Sequence, residues 1–134
     1  MIKYRNLDNS LKDLIVTTIP AGVKNDLLAD VRQWNNAGGA FADNGGIQKI
    51  HVLNGATGAV AITGFTPSKV GQRVALVCSA ANQSVTVKCG TGCTFDGTNN
   101  TATFGANKAL DLIAISLTRW LVITNVGSVA FSTT

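Results

Sequence analysis

Between residues 49 and 132 the chain repeats one theme eight times: a short run rich in Val, Ile, Leu, Ala and Thr, cut off by Gly, Asn, Asp or Ser. The runs are Lys49–Leu53, Ala59–Thr63, Arg73–Ser79, Ser84–Cys89, Thr101–Phe104, Leu110–Ser116, Trp120–Thr124 and Val129–Ser132. β-branched stretches of this length, bounded by turn residues, read as strands. NGATG (Asn54–Gly58) and AANQ (Ala80–Gln83) read as hairpin-type turns, and DGTNN (Asp96–Asn100) as a further turn. The expectation is a mainly β protein: an antiparallel β-sandwich or jelly-roll-like domain over residues 47–134.

Alternation assigns the faces, because successive strand residues point to opposite sides. Val85, Val87 and Cys89 share one side of their run, and Ser84, Thr86 and Lys88 the other, so this strand is half buried. Other runs are apolar on both sides. In LDLIAISL, Leu110, Leu112 and Ala114 oppose Ile113, Ile115 and Leu117; in WLVIT, Trp120 and Val122 oppose Leu121 and Ile123. Val74, Leu76 and Cys78 likewise oppose Ala75 and Val77. A strand apolar on both faces needs a second partner surface. Ile113, Ile115, Leu117, Leu121 and Ile123 are therefore read as a second-face interface, and the chain as an oligomer.

The first 43 residues have a different texture. Val23, Leu27, Val31 and Trp34 fall at spacings of four, four and three, one stripe of an amphipathic helix. Asn35, Asn36 and Gly38 supply a stop. The spacing predicts a short α-helical or extended segment over residues 1–43, its stripe packing on the β domain, docking a partner or forming the oligomer. Glycine-rich GGAFADNGG (Gly38–Gly46) marks the joint. The charged start, MIKYRNLDNSLKDL, lacks the apolar centre of a cleaved signal. No apolar run approaches the roughly 18–20 residues of a membrane span, so no membrane partner is expected.

Composition bounds the chemistry. The chain holds seven acidic residues, all Asp, and one His. The net charge of +4 lies entirely beyond residue 43, where six basic residues meet two Asp. These charges stand singly, not as a basic strip with aromatics between, so nucleic acid is not expected and an acidic protein surface fits at least as well. No nucleophile, phosphate-loop or zinc-protease motif is present. His51, in IHVL, has no adjacent acid or nucleophile and reads as a surface or interface polar group. No catalytic, cofactor-binding or metal-binding residue is assigned, and an enzyme is not expected.

KCGTGCTFDG (Lys88–Gly97) is the one stretch with a chemical look. Cys78, Cys89, Cys93 and His51 do not form the two close ligand pairs of a structural zinc site, and no CxxC is present. Structural or free thiols are the favoured reading, with a Cys89–Cys93 or Cys78–Cys89 disulfide and a metal site as alternatives. Cys89 continues the inward phase of Val85 and Val87, the glycines end the strand, and Phe95 turns back toward the core. Trp120 reads as a core tryptophan; a sugar-stacking platform would need a polar surround that LTRWLVI does not offer.

The order VAITGF (Val60–Phe65), GQRVALVC (Gly71–Cys78), SVTVKCG (Ser84–Gly90), ALDLIAIS (Ala109–Ser116) and RWLVITNVG (Arg119–Gly127) resembles small β modules of tailed-bacteriophage virion proteins. Head-decoration or cement proteins, head fibres and tail-fibre tips share it, over roughly residues 48–132 of this chain. The resemblance implies a homotrimeric structural module on the outer surface of a virion, made in the host cytoplasm. Its partners would be copies of itself and the major capsid protein or another virion protein, with residues 1–43 attaching to the particle. A capsid decoration protein that stabilises the shell is the first expectation. A receptor- or glycan-binding module of a tail fibre or spike is the alternative.

Overall fold

The computed structural model describes residues 31–35, 38–41 and 49–134. Ten strands form two five-stranded sheets. Across the first sheet lie β1 (Val31–Asn35), β3 (Ile50–Asn54), β5 (Arg73–Ala80), β8 (Lys108–Ser116) and β9 (Arg119–Val126), in that order. Across the second lie β2 (Gly38–Ala40), β4 (Val60–Phe65), β6 (Val85–Cys89), β7 (Thr101–Thr103) and β10 (Ala130–Ser132). The mainly β expectation therefore holds, and all eight runs read from the sequence are strands.

The winding is not the expected one. β1–β2, β3–β4 and β5–β6 each carry the chain from the first sheet to the second, so like strands stack in parallel. Only after β6 does the chain reverse. β7 runs antiparallel to β6, β8 antiparallel to β5, β9 antiparallel to β8, and β10 antiparallel to β7. The sheets are thus mixed, four parallel pairings and four antiparallel, rather than the antiparallel sheets of a jelly roll. Parallel neighbours need a long crossover between them, and here that crossover is a strand of the opposite sheet.

NGATG and AANQ are accordingly corners between sheets, not hairpins. They stack on each other. Gly55 N–H donates to Ala80 O at 2.7 Å, and Gln83 N–H donates to Gly55 O at 2.8 Å. A Cβ on Gly55 would lie 2.6 Å from Val85 Cγ2 and 3.1 Å from Gln83 O. Glycine is needed there for close approach of two backbones, the second of glycine's uses beside tight turns.

One apolar cluster fills the space between the sheets. Leu53, Leu76, Leu112 and Trp120 enter it from the first sheet; Val60, Ile62, Phe65, Val85 and Val87 enter from the second. The arrangement is sandwich-like, and alternation along each strand produces it.

The helix expected through Val23–Trp34 is replaced at its C-terminal end by a strand. Val31–Asn35 forms β1, in parallel register with β3 from Val31↔Ile50 to Asn35↔Asn54. In a strand, residues three apart face opposite sides, so Val31 is exposed and Trp34 buried. The two do not share a stripe. Val23 and Leu27 lie outside the described residues. β1 and β2 come from the 1–43 segment and complete the same two sheets.

Candidate functional site

The outer faces of the two sheets differ in chemistry. On the second sheet, Thr63, Thr86, Lys88, Thr103 and Ser132 point outward, an ordinary water-facing surface. On the first sheet the outward residues are mostly apolar. Paired positions form rows across it. One row runs Val31, Ile50, Ala75, Asp111, Thr124; the next runs Gln33, Val52, Val77, Ala109, Val126; a third holds Arg73, Ile113 and Leu121. Ile115 is 44% exposed, Leu121 43% and Ile123 45%.

The structure thus brings together four of the five second-face residues. Ile113 and Ile115 project outward from β8, and Leu121 and Ile123 from β9. Leu117, also exposed, sits in the turn between those strands. Val31, Ile50, Val52, Val77 and Val126 extend the patch across all five strands. The sequence signal for β3 and β5 was present as Ile50, Val52 and Val77, but only the parallel β3–β5 register together with the antiparallel β5–β8 pairing joins them to β8 and β9. Contiguous apolar surface of this kind is uncommon on the exterior of an isolated chain, whereas single exposed apolar residues are ordinary.

One ion pair is set in this face. Arg73 Nη2 lies 2.8 Å from Asp111 Oδ2, across the β5–β8 pairing. Both groups are partly exposed, so the pair adds roughly 0–1 kcal/mol to the free chain.

The remaining candidates lie in the core. His51 is buried rather than at the surface, and Trp34 Nε1–H donates to its Nδ1 at 3.0 Å. Alternation placed it with Leu53; what spacing could not show was that this side faces inward, against Trp34 and Phe41. Trp120 is fully buried, as the core reading expects, and donates Nε1–H to Phe65 O at 3.3 Å.

Cys78, Cys89 and Cys93 are free and buried. Cys93 N–H closes a turn on Gly90 O at 3.0 Å, and Cys93 Sγ faces Phe65 O at 3.8 Å. The Cys89 thiol hydrogen-bonds to Cys93 and is held far above the usual thiol range by that bond, then by burial and by nearby negative charge. The same bond lowers the pKa of Cys93. Burial raises Cys78, partly offset by hydrogen bonding with the Ala80 backbone. Among the described residues, no three His, Cys, Asp or Glu side chains gather as a metal site.

No family model matches the chain. No curated protein matches it either.

Proposed function

We propose that this chain is a self-associating structural protein of a bacteriophage particle, a head-decoration or cement protein that binds the outer shell as a homotrimer. The observation that carries the reading is the apolar outer face of the first sheet, opposed by a polar face on the second. Copies packed through Ile113, Ile115, Leu121 and Ile123 remove from water a surface that the isolated chain leaves exposed. Each of these side chains is already more than half buried in the single chain, so covering the remainder stabilises association by roughly 1 kcal/mol apiece. The three-fold number and the virion setting come from the resemblance of the strand order to phage modules. Linked weak contacts then hold the oligomer on a repeating shell.

The glycan-binding alternative draws no support from the described residues. Trp34, Trp120, Phe65 and Phe95 are all buried, so none offers a stacking platform. The test is to incubate the purified chain with undecorated heads of the phage that encodes it and pellet the particles. Co-sedimentation in multiples of three copies per site is expected. A chain left wholly in the supernatant contradicts the reading.

A further inference from the structure

At one end of the first sheet, beside the apolar face, lies a cleft of about 270 Å³ lined by Lys49, Lys69, Gly71, Gln72 and Arg73. We infer that this cleft is a recognition site for an acidic protein segment, whose carboxylates seat among Lys49, Lys69 and Arg73.

The local fold explains why three cations meet there. Lys49 precedes β3 and is tied to β5, since Ala75 N–H donates to its carbonyl at 2.8 Å. Lys69 sits in the turn entering β5, where Gln72 N–H reaches Lys69 O at 3.3 Å. Gly71 N–H donates to Ala114 O at 2.7 Å, and Ala114 N–H to Gln72 O at 2.9 Å, which pins the turn onto β8. The Gln72 side chain is buried, its Oε1 accepting from Ser68 N–H at 2.8 Å and Ser68 Oγ–H at 3.1 Å. Lys49, Lys69 and Arg73 stay exposed around this fixed floor.

Charge makes the site selective for anions. No acidic side chain is among the described residues lining it. Asp111 meets Arg73 through a single Nη2–Oδ2 contact, and guanidinium has five N–H donors. Each cation attracts an incoming carboxylate, and the attractions of neighbouring cations add.

The neighbours narrow the anion to a protein segment. Ile50 and Ala75 adjoin Lys49 and Arg73 on the outer face, so an occupant meets apolar and cationic surface together. A peptide with acidic and aliphatic residues matches both. Single-stranded nucleic acid binds by stacking bases on exposed aromatics, and the described tryptophans are buried.

The test uses the full chain, isotope-labelled, with amide shifts followed by NMR. The probes are acetyl-Asp-Leu-Asp-Leu-amide, its Asn-Leu-Asn-Leu counterpart, inorganic phosphate and an oligo-dT. It is run on the wild type and on Leu121→Lys, in which the apolar face is broken, so that loss of self-association and loss of this site are read separately. Saturable shifts at Lys49 and Gly71–Arg73 are expected with the acidic peptide in both proteins, weakening as salt rises. Lys49→Ala with Lys69→Ala, both at exposed positions, should weaken binding by about tenfold or more. Equal binding of the Asn peptide, equal binding of phosphate, tighter binding of oligo-dT, or no shifts at all would each overturn the assignment.

Discussion

The indole of Trp120 lies against the ring of Phe65, centroids 4.8 Å apart and planes 23° from parallel, while its N–H donates to the carbonyl of that same residue at 3.3 Å. Trp120 belongs to β9 and Phe65 to β4, so one pair ties the two sheets by both stacking and a hydrogen bond. Trp120→Ala is expected to cost about 3–5 kcal/mol in urea unfolding. Trp120→Phe should cost clearly less, because it keeps the ring and loses the donor. Equal losses in the two variants would show that stacking contributes little.

A second aromatic contact tests the strand assigned to Val31–Asn35. Trp34→Phe keeps the apolar bulk and removes the donor to His51 Nδ1. Leaving that buried nitrogen without its donor should cost about 1–2 kcal/mol in the same unfolding measurement. On a surface docking helix, the substitution would leave stability unchanged.

Gly55 tests the stacked corners. Gly55→Ala places a methyl group against Val85 Cγ2 and the carbonyls of Gln83 and Ala80. Overpacking of this kind costs about 1–3 kcal/mol, read as a lower urea midpoint. An unchanged midpoint would show that the two corners do not press on this position and counts against their stacking.

Asp96 gives a pH signature. Its carboxylate accepts from Thr98 N–H at 2.9 Å, Asn99 N–H at 2.6 Å and Asn99 Nδ2–H at 2.8 Å. Bonds from the Asn99 backbone lead the causes that hold its pKa below the ordinary 3.8. A carboxyl whose folded pKa is depressed stabilises the fold above its unfolded pKa, and that contribution is lost as pH falls through the folded one. The stability gap between wild type and Asp96→Asn should therefore be constant near neutrality and shrink as pH falls below about 4. A gap that stays level, or widens toward acid, contradicts this.

How much of this was legible follows from which signals are local. Alternation is local, so the inward phase of Val85, Val87 and Cys89, and the outward phase of Ile113 and Ile115, could be read residue by residue. Strand pairing is not local. Asn54-Gly55 carries the strongest short-range hairpin signal, yet the same glycine serves a corner where backbone meets backbone. Val31 and Trp34 satisfy helical spacing and strand composition alike, and pairing with β3 decides between them. The cationic cleft has no local signal, because Lys49 and Lys69 stand 20 positions apart and meet only through the parallel β3–β5 register.

The most direct test of the apolar face is sedimentation equilibrium on the full chain and on a Leu121→Lys, Ile123→Lys double variant. Both positions are exposed, so the variant should fold, with the near-ultraviolet circular dichroism of the wild type. The expected result is a wild type at three times 13.9 kDa and a variant at 13.9 kDa. A wild type that stays at 13.9 kDa at every concentration, or a variant that assembles as the wild type does, would contradict the assignment of this face to self-association.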